Sequence, residues 1–564
     1  MSMESLSQHC PLFAQIRSDC PRTIWFDDLK SPLKLEAAEQ AALVKFTIAV
    51  LLDRDRPEAL PEILEQDSQP RLVLISISNC EGTAQTVLSA GNGIIEAIET
   101  ARSHFQDSFY LKWLKLDLVQ TVTPIEKLDF QLDRQWFGLA FDRETGLASL
   151  PEQLAIYGMT DRDRLNGLLQ DKNIQKYRFE TSSWFSNQQT ILPLYRGHAW
   201  FNQISAQSLY VSAVWAGEYL KGAIQANGRF NYLYHADRDA VSNKYNILRH
   251  AGTLYSLLEL YEITRDTELL NAAKRAIAYL HEFIQPDRDM ACVVENDYIK
   301  LGGNALAIVA LTKFIQVTGE TERLATAIQL GRWIQTAQAE NGQFTIHKQG
   351  YPGGAITDFV SGYYPGEAIL ALNRLYDRDG DETWLDTAES AALYLIQTRD
   401  GDLSDRELTL DHWLLYGLNE LYRHRPNPVY FQHVTRIASE IARRQIHKSK
   451  FPDWRGGFDQ PPRSTPTACK TEGLCAAYRL IRDFGQAQQT REILTAIGSG
   501  LRFQLQTQIR PELALHFPNP QRTLGGFRNK FSEFDVRIDF VQHNLSGLLA
   551  AYQIAREIGD RAQT

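Results

Sequence analysis

Between residues 205 and 564, apolar positions recur at helical spacing in two alternating classes of segment. One class carries a dense apolar stripe rich in small residues and covers 251–264, 305–317, 368–376, 413–422, 473–482 and 545–555. The other class is amphipathic, with apolar residues at i, i+3, i+4 and i+7 and one polar face, and covers 207–225, 267–284, 322–338, 382–397, 430–445 and 491–508. A fully apolar helix belongs inside a fold, and a half-polar helix belongs at its surface. Six inner and six outer helices in strict alternation predict an all-α toroid of six hairpins, an (α/α)6 barrel.

Connection lengths orient this barrel. The turns from each inner helix into the next outer one are short, at 264–267, 318–321, 377–381, 423–429 and 484–490, and Gly319 and Gly380 stand where a left-handed C-cap belongs. The opposite connections, 226–249, 285–303, 339–365, 398–410, 446–470 and 507–542, are long and share one face. Long loops in compact domains are usually functional, so the ligand mouth is expected there. Residues 1–190 read differently. They mix strand-like runs such as 71–77 with helical stretches such as 35–52, which predicts an α+β domain. The stretch 182–205 has no clear period and is taken as the connector. The expected chain is therefore multidomain, with an N-terminal α+β domain (1–190) followed by the all-α toroid (205–564).

Composition adds little against this picture. With 564 residues, 44% of them hydrophobic and 23% charged, the chain is long enough for two cores and ordinary for a soluble globular protein. A net charge of −9 without a basic block makes nucleic acid an unexpected partner. No run of about 18 consecutive apolar residues offers a membrane span. The start, 1–20, lacks a basic segment followed by an apolar one, and the six cysteines form no paired framework, so a cytoplasmic location with free thiols is expected.

Gln followed by a Gly-x-Phe or Gly-Gly-Phe turn recurs after outer helices. Examples are Gln225 with Asn227-Gly228-Arg229-Phe230, Gln338 with Asn341-Gly342-Gln343-Phe344, Gln445 with Gly456-Gly457-Phe458, and Gln508 with Gly525-Gly526-Phe527. This pattern resembles the six-hairpin toroids: the N-acylglucosamine 2-epimerase type, the unsaturated glucuronyl hydrolase type and other glycosidases, and the terpenoid cyclase and prenyltransferase toroids. The resemblance implies that substrate binds where the inner helices start. A second resemblance covers about 35–185. Cys80-Glu81-Gly82-Thr83, Ile94-Ile95-Glu96-Ala97-Ile98, Thr145-Gly146-Leu147, Leu150-Pro151 and Tyr177-Arg178-Phe179-Glu180 follow the order seen in AMMECR1-type domains. Where that family has Leu-Arg-Gly-Cys-Ile-Gly, this chain has Ile77-Ser78-Asn79-Cys80-Glu81-Gly82, so the N-terminal part reads as a degenerate relative.

Every inner-helix start carries polar residues, although a barrel core should be apolar. Asn246, Arg249 and His250 precede the first. Glu295 and Asp297 lie before the second. Asp358, Tyr363, Tyr364 and Glu367 surround Pro365 at the third. Asp411, His412 and Trp413 open the fourth. Arg463, Cys469, Thr471 and Glu472 lead into the fifth, and Arg537, Asp539, Gln542 and His543 into the sixth. Helix caps and first-turn acids account for some of these. Their convergence on one ring is the stronger observation. The catalytic candidates are Glu367, Asp411, His412, Glu472 and His543. The substrate-binding candidates are Asn246, Arg249, His250, Asp358, Tyr363, Tyr364, Trp413, Arg463 and Arg537.

Several chemistries fit this ring. A glycosidase needs two carboxyl groups about 5–10 Å apart, and Asp358, Glu367, Asp411 and Glu472 form the pool. Epimerisation needs bases on both faces of a carbon. The epimerase resemblance implies that role for His412 and His543, with Leu415 standing where that family has a Glu. A zinc-dependent toroid would draw on Cys469, His543 and Asp411, without the Cys-His dipeptide of the cyclases. No Asp-rich terpenoid-cyclase motif occurs, and Asp377-Arg378-Asp379-Gly380-Asp381 sits in a short turn on the wrong face. A non-catalytic binding or scaffold protein retaining the pocket is the remaining alternative. The reading carried forward is a carbohydrate-active enzyme of glycosidase, lyase or epimerase class. A sugar or oligosaccharide is its ligand, with no cofactor and no metal ligand set called for.

Overall fold

The computed structural model describes residues 12–15, 24–57, 59–105, 110–125, 136–158 and 162–563. Cys10, Cys20 and most of the stretch read for a leader lie outside them.

The inner helices are Ile247–Thr264, Leu301–Thr318, Tyr364–Asp379, His412–His424, Ser464–Phe484 and Ile538–Gln563. Each packs against the next, and the sixth packs against the first, so the ring closes. The outer helices are Ala206–Ala223, Thr267–His281, Leu324–Thr336, Glu382–Leu393, Pro428–Arg444 and Ala487–Thr507. A wider π turn, Tyr394–Arg399, extends the fourth. Outer helices begin on the caps their sequences provide: Ser205, Asp266, Asp381 and Asn427 accept from the backbone N–H of Ser208, Glu268, Thr383 and Val429. The first, second and third inner helices end at Arg265, Gly319 and Gly380, all in the left-handed region. The second inner helix is the one described helix long and apolar enough to cross a membrane, and 89% of it is buried within the protein.

All six inner helices start earlier than their apolar pattern does. The extra first turns contain Arg249, Gly302, Pro365, His412, Thr467 and Asp539. Polar, Gly and Pro residues there interrupt the periodicity without interrupting the helix.

The Gln and Gly turns after the outer helices form a repeated lock. Gly228, Gly342, Gly456 and Gly525 have φ of 87°, 89°, 89° and 83°. A side chain is excluded at each, because a Cβ would lie 2.0, 2.3, 1.9 and 2.0 Å from the backbone oxygens of Arg275, Ser390, Ser499 and Trp215. Each of those oxygens belongs to the next outer helix round the ring. The Gln side chains reinforce the contact: Nε2 of Gln338, Gln445 and Gln508 donates to the carbonyls of Thr387, Ala496 and Ser212 at 2.9, 3.0 and 2.8 Å.

The long loops are not structureless, and the toroid part is not purely helical. Leu233–His235, Ala240–Val241, Arg528–Lys530 and Glu533–Arg537 pair into one four-stranded sheet. Ile284–Asp287, Met290–Glu295, Tyr298–Lys300 and Lys348–Gly350 pair into another. Neighbouring loops thereby satisfy each other's backbone groups where no helix can.

The N-terminal part is an antiparallel sheet of nine strands: β1 (Ala14–Gln15), β2 (Pro70–Ser78), β3 (Gln85–Asn92), β4 (Trp113–Pro124), β5 (Gly138–Ala140), β6 (Leu147–Ser149), β7 (Tyr177–Ser186), β8 (Ile191–Tyr195) and β9 (His198–Ala199). Its order is β1-β6-β5-β7-β4-β2-β3, with β8 and β9 continuing from β7. The segment 182–205, aperiodic in sequence, therefore contains strand up to Ala199. β2 is buried on both faces. Val73, Ile75 and Ile77 meet helices Ala37–Leu51 and Ile94–Arg102, while Leu72 and Leu74 meet Trp25 and Phe26. The sheet packs on loops of the toroid. Ala84 N–H donates to Leu515 O at 2.7 Å, Tyr157 Oη donates to His516 O, and Arg196 pairs with Asp453 at 3.2 Å. Both contacted loops lead into the fifth and sixth inner helices, on the side of the long connections.

Gly525→Ala is expected to destabilise the protein by about 2–4 kcal/mol, combining left-handed strain with overpacking. Gln508→Ala is expected to cost about 1–3 kcal/mol by leaving buried carbonyls unpaired. Urea unfolding checks both, and near-wild-type midpoints would refute the lock.

Candidate active site at the mouth of the toroid

The N-terminal ends of inner helices three to six, within their first nine residues and the Asp411 cap, bring five chemical groups together. Glu367, three residues into the third helix, is buried, and its Oε2 has no hydrogen-bond partner among the described residues. Burial, with Asp411 adding to it and His543 opposing, pushes its carboxyl up to about 8. Asp411 caps the fourth helix, its Oδ1 accepting from Trp413 N–H at 2.9 Å, while Oδ2 is left without a partner. Burial pushes this carboxyl up to about 7 against the pull of Arg399.

His412 is 4% exposed, and among the described residues neither ring nitrogen has a hydrogen-bond partner. Burial, followed by the neighbouring His543 and Lys470, holds the imidazole well below its ordinary pKa. Glu472 is fully buried, with Oε1 accepting from His543 Nδ1 at 2.9 Å and Oε2 unpartnered. Burial raises its carboxyl to about 7, with His543 opposing. Burial opposes charge on His543 as well, but Cys469 and Glu472 outweigh it and hold this imidazole well above its usual value.

The two imidazoles are in edge-to-face contact, ring centroids 5.1 Å apart at 78°. The Trp413 ring lies 4.8 Å from His412 and 6.2 Å from His543 and forms the floor. Tyr363 stands at the mouth, 49% exposed and 6.2 Å from the His412 ring. Cys469 completes the cluster. Donor atoms of His412, Cys469, Glu472 and His543 all lie within 4.8 Å of one another, a group able to hold a metal ion. Beside it opens a cavity of about 590 Å³, walled by Tyr363, Leu410, Arg444, Phe458, Asp459 and Lys470.

Arg249 Nε lies 3.1 Å from Asp539, and Arg537 donates to the same carboxylate at 2.8 Å. Two guanidinium groups thus share one carboxylate. Burial, followed by the Glu367 carboxylate and opposed by Arg249, raises the Tyr364 hydroxyl above its ordinary range.

Other sequence candidates have structural duties. His250 is fully buried and points outward. Tyr245 Oη donates to its Nδ1 at 2.7 Å, and its Nε2 donates to Ala276 O at 2.8 Å. Burial lowers this imidazole to about 4, so it is a neutral core bridge and not a ligand-facing group. Asn246 is an N-cap, accepting from Arg249 N–H at 3.0 Å. Glu295 is buried, accepts from Ile247 N–H at 2.6 Å and pairs with Lys300. Arg463 is exposed and paired with Asp459 at 2.8 Å, and Asp358 is exposed on its loop. Tyr255 lies deep in the barrel, bonded to Glu259 at 2.7 Å.

Lys470 borders the site without having been chosen as a candidate, and nothing in its local sequence marked it. Asp539 was noted among the polar residues before the sixth inner helix but was given no role. Cys469 did carry a signal, since Cys469 and Glu472 stand three apart on one helix face.

No protein-family model matches the chain, and no curated protein matches its sequence. Solved structures do resemble it. A sugar epimerase from a ruminal bacterium is 14% identical, covering 61% of this chain and 98% of its own, with a TM-score of 0.47. Cellobiose 2-epimerase from Bacillus thermoamylovorans B4167 is 15% identical over 62% of this chain and 99% of its own, also at 0.47. An unsaturated glucuronyl hydrolase specific for heparin is 14% identical over 62% and 99%, at 0.45. The toroid itself is read from the closed ring of inner helices described above.

His250→Phe is expected to lower stability by about 1–3 kcal/mol, because Ala276 O and the Tyr245 hydroxyl lose buried partners. Thermal unfolding measures this, and an unshifted melting curve would show that the imidazole does not bridge the two helices.

Proposed function

We propose that the protein is a carbohydrate-active enzyme that performs acid–base chemistry on a sugar held in the toroid mouth. One observation carries the reading. Glu367 is a carboxyl group buried beside Asp411 and Tyr364, with an oxygen free of partners among the described residues. A carboxyl in that setting keeps its proton near neutrality and can deliver it to a leaving oxygen. Asp411 is its acidic neighbour, and like charges do not both ionise cheaply in such a space. Tyr363 and Tyr364 offer flat faces for a sugar ring, and Arg249 and Arg537 offer donors to its hydroxyl or acidic groups.

Hydrolysis of a glycosidic bond fits this better than two-base epimerisation. The His412 and His543 rings touch, so no sugar carbon fits between them as they stand. The sheet domain is read as a wall for the loops of the fifth and sixth hairpins. Cys80, the counterpart of the AMMECR1-type cysteine, is buried, and burial raises its thiol above the usual range, the opposite of an activated nucleophile.

The test is a screen of aryl glycosides for turnover, with thermal shift against neutral and acidic oligosaccharides. On any substrate found, Glu367→Gln is expected to lower kcat by about 10²–10⁴-fold while the folded protein still binds the sugar. Undiminished turnover by this variant would sink the assignment of Glu367 as proton donor.

A further inference from the structure

We propose that His412, Cys469, Glu472 and His543 bind one zinc ion at the floor of the funnel. The inference rests on the funnel being the site, but on none of the sugar chemistry assigned to Glu367.

Three inner helices deliver the four donors. Cys469 and Glu472 come from one face of the fifth helix, His412 from the first turn of the fourth, and His543 from the sixth. Their donor atoms lie within 4.8 Å of each other. Ligands about 2.0–2.3 Å from a zinc ion are separated by distances of this order, so small side-chain adjustments complete a tetrahedral shell. One thiolate, two imidazoles and one carboxylate form a set that zinc accepts and that magnesium or calcium, which favour oxygen, do not.

Partnering supports the same conclusion independently. The ion pair of His543 with Glu472 uses one atom of each. It leaves Glu472 Oε2 and both nitrogens of His412 buried without hydrogen-bond partners. Burying a polar atom without a partner is costly, and a cation among them satisfies the Glu472 oxygen and one His412 nitrogen together. A thiolate and a carboxylate also neutralise a divalent ion, so the occupied site buries no net charge. The ring contact between the two histidines, which leaves no room for a sugar carbon, is the approach expected of two imidazoles turned toward one small ion. Zinc also accepts a fifth ligand, and a substrate oxygen descending past Tyr363 is the group placed to supply it.

The test uses tag-free, full-length protein. Elemental analysis is expected to find about one zinc per chain. Chelator-stripped protein titrated with cobalt(II) is expected to develop a near-ultraviolet thiolate charge-transfer band together with the intense visible bands of a tetrahedral ion. Cys469→Ser is expected to lose the near-ultraviolet band. His412→Ala is expected to weaken zinc binding beyond the ~10–100-fold that loss of an outer-layer group causes. Added zinc should raise the melting temperature of the stripped wild type but not of either variant, and a cooperative melt of each variant without zinc shows that it is folded.

Glu367→Gln separates the two readings. It should keep stoichiometric zinc while losing sugar turnover, so zinc without any sugar activity would overturn the function but not the metal site. Stripped wild-type protein that melts cooperatively, shows no cobalt spectrum and gains no stability from zinc overturns the metal site. Cobalt spectra identical in wild type and Cys469→Ser do so as well.

Discussion

The architecture depends on one backbone constraint. At four points round the ring a glycine turn presses against a carbonyl of the next outer helix, closer than any side chain allows. Because the residue must also hold a positive φ, glycine alone satisfies both conditions. The glutamines that end three of these outer helices donate across the same contact, so adjacent hairpins are joined by directional bonds as well as by apolar packing. That spacing sets where each long loop turns inward and where each inner helix begins. The first turns therefore converge on a single mouth.

Convergence has an energetic cost that the site displays openly. Glu367, Asp411, His412 and Glu472 are all buried, and each has at least one polar atom without a hydrogen-bond partner. Removing such groups from water without pairing them destabilises a fold. The surrounding ring, with helices such as Leu301–Thr318 buried on nearly every side, provides the compensating apolar burial. Rigid helices on all sides also keep the groups from relaxing apart. In the sheet domain the buried Lys115 is by contrast paired with both Asp117 and Glu152.

The inner helices were legible as elements but not at their starts. Apolar periodicity locates a helix only where apolar residues occur, and each first turn here is polar, glycine-bearing or proline-bearing. Those same turns hold the site, so the sequence signal was weakest where function is densest. Arg249 and His250 illustrate the second limit. They are adjacent, and both were read as ligand-facing. One residue of helix rotates a side chain by about 100°, which sends Arg249 to the mouth and His250 to the outer helix. The loops gave the opposite error. Their lack of helical pattern was plain, but their pairing into two small sheets depends on partners from other hairpins, as Leu233–His235 depends on Glu533–Arg537.

What the chain by itself determined is the alternation of six buried and six half-wet helices, the polarity of the barrel through unequal connections, and the glycine turns that close it. These follow from local rules of periodicity, capping and backbone conformation, which neighbouring residues satisfy on their own. Only the tertiary structure decided that Cys469 and Glu472 meet His412 and His543, that Asp411 sits beside Glu367, and that Asp539 is shared by two arginines. These pairings join residues from different hairpins. Their distances depend on how the closed ring rotates each helix about its own axis, a quantity that no single segment contains.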